Sequence, residues 1–148
     1  MRASNLHLTL AFIGELEPAR APALAQRLSE IPPPQPEVIW PLDHLGHFAR
    51  ARVVWAGGSP CAELEALAQS CRAALETLGI AYDRRPFSAH VSLLRDARHL
   101  NPAAEALAQA VWPVAWPLSA PQLIVSDRGI DGAVQYRPWS APPLSTYP

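Results

Sequence analysis

Two short stretches of similar pattern decide the fold: N-L-H-L-T-L-A-F-I-G at residues 5–14 and F-S-A-H-V-S-L-L-R-D at residues 87–96. Each places a histidine two positions before a hydroxyl residue inside an apolar run, and the stretches align without a gap, with His7 on His90. Alternation of apolar and polar positions predicts one strand at Leu6–Gly14, and the second stretch predicts another at Ser88–Leu94. The chain is therefore expected to contain two lobes of similar build, each contributing one of these strands.

The rest of the chain switches between helical and extended patterns. Helices are predicted at Pro18–Ile31, from the Ser59-Pro60 start signal to Gly79, and from Asn101-Pro102 to about Ala110. Further strands are predicted at Val38–Phe48, Ala51–Ala56, Val114–Ser119, Gln122–Asp127 and Ala133–Trp139. Because several strands are consecutive, the pattern favours a single α+β domain over residues 1–148 with largely antiparallel sheets, ending in a proline-rich, loosely held tail at 141–148.

The composition excludes several classes of protein. Hydrophobic residues make up 49% of the chain, and no apolar run approaches the roughly 20 residues that span a bilayer, so a cytoplasmic location without membrane contact is expected. The net charge of −1 does not favour binding to long duplexes, although all 12 basic residues are arginine, whose planar fork suits phosphate. Cys61 and Cys71 lie in one predicted helix, roughly 15 Å apart along its axis, and are expected to be free thiols.

The paired histidine motifs carry the chemistry. Residues i and i+2 of a strand point to the same face, so His7 projects with Thr9, and His90 projects with Ser92. If the two strands meet across a groove, two imidazoles and two hydroxyls converge. This set supplies what cleavage of a phosphodiester without metal needs: one imidazole accepts a proton, the other donates one, and the hydroxyls donate to phosphate oxygens.

Metal binding is the other interpretation of paired histidines. Catalytic zinc sites usually have three protein ligands, often including a carboxylate. The chain contains no His-Glu-x-x-His spacing, and nothing in the sequence directs His44, His47 or His99 toward the two motifs. The sequence therefore predicts a site without a metal or another cofactor.

Five stretches spread between residues 5 and 140 carry a family resemblance, which covers nearly the whole chain. They are N-L-H-L-T-L-A-F-I-G-E (5–15), G-H-F-A-R-A-R-V-V-W-A-G (46–57), R-P-F-S-A-H-V-S-L-L-R (85–95), L-I-V-S-D-R-G (123–129) and Q-Y-R-P-W-S (135–140). With these stretches the chain resembles the two-histidine (2H) phosphoesterases, in particular the bacterial RNA 2′,3′-cyclic phosphodiesterases first named 2′-5′ RNA ligases. The resemblance implies a bilobal α+β fold in which two largely antiparallel sheets face each other across a groove, with helices outside. It also implies hydrolysis of 2′,3′-cyclic phosphate ends of RNA or nucleotides to a 2′-phosphate, without a metal.

Carried over by position, the resemblance assigns roles to seven side chains: the acid–base pair His7 and His90, the phosphate anchors Thr9 and Ser92, and the candidate substrate contacts Phe12, Arg95 and Phe48. Phe12 and Arg95 each lie five positions after a histidine. Strict alternation puts that position on the opposite face, so these contacts require the strand to end or bulge first. For Phe48, a groove wall and a core position are equally open.

The chain departs from the family pattern in two places. Ser92 stands where threonine is commoner, which keeps the hydroxyl. Relatives usually have a strand and a helix before the first motif, whereas His7 follows only six residues. An N-terminal strand–helix unit is therefore expected to be missing, through a late start codon, a truncated form or completion of the lobe by a partner chain. The uncovered sheet edge then predicts an oligomer.

Two other functions remain open on the same residues. The reverse reaction, 2′-5′ joining of RNA ends, is permitted at the same site by microscopic reversibility. A non-catalytic protein that binds RNA ends or nucleotides would result if the first lobe no longer positions His7. Turnover of a 2′,3′-cyclic mononucleotide in EDTA separates an enzyme from a binder.

Overall fold

The computed structural model describes residues 3–96, 113–130 and 132–140. Two α-helices, α1 (Ala21–Ser29) and α2 (Ala62–Thr77), are combined with seven strands in these ranges. The strands are β1 (Ile39–Leu42), β2 (His44–Phe48), β3 (Val53–Gly57), β4 (Val91–Leu94), β5 (Val114–Pro117), β6 (Ile124–Arg128) and β7 (Val134–Pro138). Every strand pairing is antiparallel, so the predicted α+β class is confirmed. The helix predicted from Asn101-Pro102 and the tail at 141–148 lie outside the described residues.

Both predicted helices preceding the second motif are present, and they are amphipathic. Helix α1 follows a 3₁₀ turn at Pro18–Arg20. Helix α2 ends before Gly79, whose φ of +62° suits glycine. Their apolar stripes face each other and include Leu24, Leu28, Cys71 and Leu75.

The predicted start of α2 at Ser59-Pro60 is wrong by two residues. The helix begins at Ala62, with Cys61 as an N-cap residue that makes no side-chain cap bond. The indole of Trp40 donates to the Ser59 carbonyl at 2.8 Å, which ties Ser59 to β1 before the helix begins. A tertiary contact therefore overrides the local capping signal.

The described strands form three small sheets, β1–β5, β2–β3–β4 and β6–β7, instead of the two that were expected. The predicted strand Val38–Phe48 divides at Asp43, so that β1 pairs with β5 while β2 forms the predicted hairpin with β3. Prolines lie within β1, β5 and β7, at positions 41, 117 and 138. Because proline has no N–H to donate, each of these strands is poorly suited to a central position, in keeping with the two-stranded β1–β5 and β6–β7 sheets of the described residues.

The predicted strand Leu6–Gly14 is largely absent. Among the described residues, only Leu8 of this segment forms a β-bridge, to Val91. The side chain of Asn5 occupies the neighbouring strand edge in place of a backbone ladder: its amide donates to the Val134 carbonyl at 2.8 Å and its oxygen accepts from the Tyr136 N–H at 3.2 Å. The segment is therefore anchored at Asn5 and at Leu8 without being a regular strand.

Two hydrophobic clusters pack against the segments that carry the paired histidine motifs. One is built on Trp40, Leu42, Ala56, Leu64, Leu67, Val91 and Leu118, and Leu8 packs against it. The other lies between α1 and α2, and Leu10 contacts both clusters. Because Leu8 and Val91 face the first cluster, their neighbours in sequence face the opposite, open side. No helix within the described ranges is long and apolar enough to cross a membrane.

Candidate active site

The Leu8–Val91 bridge sets the geometry of the two histidine motifs. In an antiparallel pair, the residue before one member lies opposite the residue after the other. The Leu8–Val91 register therefore places His7 opposite Ser92 and Thr9 opposite His90. Directly opposite residues share a face. The structure therefore brings the four predicted groups to one face, with the motifs lying side by side.

Both imidazoles are held by the same local contact. His7 Nδ1 lies 2.7 Å from the Asn5 carbonyl oxygen, and His90 Nδ1 lies 2.7 Å from the Ser88 carbonyl oxygen. A carbonyl oxygen only accepts a hydrogen bond, so each Nδ1 carries the proton and donates it. In the neutral form of each ring, Nε2 is then the nitrogen with a free lone pair. The two histidines are equally prepared to exchange a proton at Nε2.

The two hydroxyls differ in exposure. Ser92 is buried at 8% relative exposure, and it lies opposite Trp55 of β3. Thr9 is exposed. The neighbourhood of Ser92 is therefore drier than that of Thr9, which strengthens a hydrogen bond from its hydroxyl to an anion.

Each histidine has aromatic rings beside it, one at His7 and two at His90. The ring of Tyr136 lies 4.3 Å from that of His7, tilted by 42°. Phe48 meets His90 edge-on at 5.0 Å, and it lies 5.2 Å from Trp55. The half-buried Phe48 is thus placed next to a predicted catalytic group, on the open side of the β2–β3–β4 sheet.

The indole of Trp55 lies against the backbone of Gly46, its cross-strand neighbour, because glycine has no side chain there. Gly46 is opposite Trp55 in the β2–β3 register, and a Cβ on Gly46 would lie 2.1 Å from the indole ring. No side chain larger than hydrogen fits there without moving the ring. The indole is therefore the base against which Phe48 rests beside His90.

Strand β4 bulges and then ends before Arg95, as a contact between Arg95 and the substrate requires. Strand β4 pairs Leu94 with Val54 and Ser92 with Trp55, so Leu93 is an extra residue and forms a β-bulge. The bulge inverts the alternation, and the strand ends at Leu94. The position after Leu94 consequently returns to the face that carries Ser92.

Phe12 lines the same cavity as His7 and Thr9. It is 64% exposed, and its carbonyl accepts a hydrogen bond of 2.8 Å from the Asp83 N–H, which holds the loop before the second motif against the first. A cavity of about 1310 Å³ is lined by Phe12 and Arg95 together with His7, Thr9 and Tyr136. His90, Ser92 and Phe48 lie outside the lining of this cavity, on the side of the β2–β3–β4 sheet.

The remaining histidines of the described chain are not part of the paired motifs. His44 meets the ring of Trp55 edge-on at 5.6 Å, and its Nδ1 lies 2.8 Å from an Asp43 carboxylate oxygen. His47 is three positions further along β2 and lies on the opposite face. His99 lies outside the described residues. Within the described ranges, no three His, Cys, Asp or Glu side chains are grouped as they would be around a metal ion.

Sequence reasoning missed three residues of this site: Asn5, Trp55 and Tyr136. Each occurs in a stretch that resembles the family, but none carries a signal of its own in one sequence. Asn5 and Tyr136 are 131 positions apart and meet only in the folded chain.

Known proteins share the pattern of this chain. Residues 1–55 match the family described as LigT like Phosphoesterase. The chain is 42% identical over 96 residues to the RNA 2′,3′-cyclic phosphodiesterase of Escherichia coli (strain K12). These 96 residues are 64% of this chain and 53% of that protein. It is 25% identical over 143 residues to the protein of the same name from Geobacillus stearothermophilus, covering 95% of this chain and 46% of that protein. The chain thus spans about half the length of these curated relatives.

Solved structures share the fold. The apo crystal structure of E. coli LigT matches with a TM-score of 0.74 and 32% sequence identity, covering 95% of this chain and 76% of that one. The complex of E. coli LigT with 3′-AMP matches with a TM-score of 0.74 and 33% identity, covering 94% and 76%. The agreement of sequence and fold over this length, together with the paired histidine motifs, shows that the chain belongs to the LigT-like phosphoesterase family.

Proposed function

We propose that this protein hydrolyses 2′,3′-cyclic phosphate ends of RNA or nucleotides to a 2′-phosphate, with His7 and His90 as the acid–base pair. The observation that carries the proposal is the Leu8–Val91 bridge, whose antiparallel register supports a common face for both histidines and both hydroxyls. The name of the relatives from E. coli and G. stearothermophilus, RNA 2′,3′-cyclic phosphodiesterase, supports the substrate class.

The reaction needs one neutral and one protonated imidazole. His90 Nε2 accepts a proton from water as the water oxygen attacks phosphorus, and the bond between phosphorus and the ribose 3′-oxygen breaks. His7 Nε2 delivers its proton to that oxygen, which leaves a 3′-hydroxyl and a 2′-phosphate. The carbonyl contacts at Nδ1 support both roles, because they direct each proton exchange to Nε2.

Thr9 and Ser92 are proposed to hold the phosphate. In the bridge register, each hydroxyl residue lies opposite the histidine of the other motif. Their O–H groups donate to the non-bridging oxygens, whose negative charge grows in the transition state. The low exposure of Ser92 supports a larger contribution from its hydroxyl.

Phe12, Arg95 and Phe48 are proposed to contact the nucleotide. Phe12 offers an exposed ring for a base, and Arg95 offers a fork for a phosphate or a base edge. Phe48, supported by Trp55, forms the wall beside His90. Bases stack on such rings with little dependence on sequence, which suits an enzyme that acts on RNA ends.

The decisive experiment incubates the protein with a 2′,3′-cyclic mononucleotide in EDTA and follows the product by ³¹P NMR. The proposal expects turnover to the 2′-phosphate that the chelator does not abolish and that His7→Ala and His90→Ala each remove. Saturable binding without turnover would instead identify a nucleotide-binding protein. Formation of a 2′-5′ linkage, when a second RNA with a 5′-hydroxyl is supplied, would identify the reverse reaction as the one that this site favours.

A further inference from the structure

We infer that Asn5 and Tyr136 are positioning residues for His7, and that they couple the β6–β7 hairpin to proton transfer at the first motif. The inference rests on the proposed function for its effect on turnover. Its structural content, the orientation and tautomer of one imidazole, can be measured without substrate.

The side chain of Asn5 is bonded to the β6–β7 hairpin. Its side-chain amide joins the outer edge of β7 by two hydrogen bonds, to the Val134 carbonyl and from the Tyr136 N–H. Asn5 is buried at 9% relative exposure, so both bonds are largely shielded from water. The backbone carbonyl of the same residue receives the Nδ1 proton of His7. Because the side chain fixes the residue, it also fixes the acceptor that selects the His7 tautomer.

The ring of Tyr136 is a second restraint on His7. It lies 4.3 Å from the His7 ring at an interplanar angle of 42°, and it stands on the same residue whose N–H binds Asn5. Asn5 and Tyr136 therefore restrict His7 from two directions. The carbonyl holds Nδ1, and the phenol ring limits rotation of the imidazole.

The second motif is held differently, which makes it an internal reference. His90 has the same Nδ1 contact, to the carbonyl of Ser88, but Ser88 is exposed and the rings beside His90 are Phe48 and Trp55. Loss of the Asn5 amide should consequently change His7 and leave His90 as it is. A general loosening of the fold would change both.

The test uses the full chain with ¹⁵N-labelled histidine and reads the tautomers of His7 and His90 from long-range ¹H–¹⁵N correlations. Asn5→Ala removes both amide bonds, whereas Asn5→Asp keeps the acceptor for the Tyr136 N–H, loses the donor to the Val134 carbonyl and adds a negative charge beside that carbonyl. In both variants we expect His7 to change from the Nδ1–H form to a mixture of tautomers while His90 keeps the Nδ1–H form. Gln135→Ala, a neighbour of Tyr136 on β7 with its side chain on the other face, is the matched control and should leave both signals unchanged.

Turnover provides the second measurement. Asn5→Ala and Tyr136→Leu should each lower kcat by roughly 10- to 100-fold, as is usual for residues that orient a functional group, with KM little changed. Tyr136→Phe keeps the ring and should restore most of the turnover that Tyr136→Leu loses. His7 remaining in the Nδ1–H form in Asn5→Asp and Tyr136→Leu would overturn the inference, as would equal changes at His7 and His90. Failure of the wild-type protein to cleave a cyclic phosphate would overturn the proposed function instead, because the NMR signals do not depend on turnover.

Discussion

Leu8 lies directly opposite Val91 in one antiparallel β-bridge, and this pair is the link between the two halves of the site. Its side chains face the buried cluster around Trp40 and Leu64. The neighbouring positions consequently face outward, which gathers His7, Thr9, His90 and Ser92 without any bond between them. One apolar pair, with Val91 buried and Leu8 partly buried, thus sets the register of a polar site.

The acid–base pair gives the first prediction. His7→Ala and His90→Ala should each lower kcat/KM by roughly 10² to 10⁴, because each removes one positioned proton carrier. The double variant should lose little more than the worse single variant, since the two groups act in one step. His47→Ala, which removes an imidazole from the opposite face of β2, is the matched control. Near-full activity of either single variant, measured with a cyclic mononucleotide, would refute the mechanism.

The phosphate anchors give the second prediction. Thr9→Val and Ser92→Ala should lower kcat more than they raise KM, because their hydroxyls act on charge that develops in the transition state. Ser92→Thr keeps the hydroxyl and should be tolerated. Steady-state kinetics on the three variants distinguishes these roles: a raised KM with unchanged kcat would make the hydroxyls simple binding groups.

The contact between Gly46 and Trp55 gives a prediction about stability. Gly46→Ala places a Cβ 2.1 Å from the indole, so the ring must move, at a cost of roughly 1 to 3 kcal/mol in the free energy of unfolding. In a Trp55→Ala background the added methyl has room, and the cost should fall. Urea unfolding of the two single variants and the double variant measures the coupling. The same cost in both backgrounds would show that the indole does not occupy this space.

The two cysteines should differ in reactivity. Burial raises the pKa of the Cys71 thiol to about 11, so at pH 8 it remains the unreactive protonated form, shielded at 4% exposure. Cys61 is only half-buried, just before α2 begins. Iodoacetamide at pH 8 should therefore label Cys61 in the native protein and both residues in urea, as read by mass spectrometry. Equal native labelling would contradict the packing of α2 against α1.

The expected oligomer remains a prediction. We expect the contact between copies of the chain to involve the segment around the first motif. Leu6 is 38% exposed and lines the 1310 Å³ cavity, and Leu8 makes the β-bridge of this segment within the described residues. An exposed apolar side chain on a segment that pairs at only one described position favours self-association. Sedimentation velocity should show species larger than a monomer that grow with concentration, and Leu6→Lys should reduce them. A monomer at every concentration would contradict the prediction.

Much of this protein follows from local sequence. The spacing of His7–Thr9 and His90–Ser92 identified the four polar groups, because residues two apart share a face whenever the backbone is extended. The apolar stripes identified α1 and α2, and the glycines at 129 and 132 marked the turn between β6 and β7. These features depend on period and on turn chemistry, which a single sequence displays.

Only the tertiary structure decided which segments meet. The Asn5 side chain binds the edge of β7, and within the described residues Leu6–Gly14 pairs only at Leu8, although its alternation is regular. The bulge at Leu93, which directs the following position to the site, depends on how β4 pairs with β3. The contact between Tyr136 and His7 joins residues from opposite ends of the described chain. Such pairings are fixed by hydrogen bonds and packing between distant segments, and the period of any one segment carries no information about its partner.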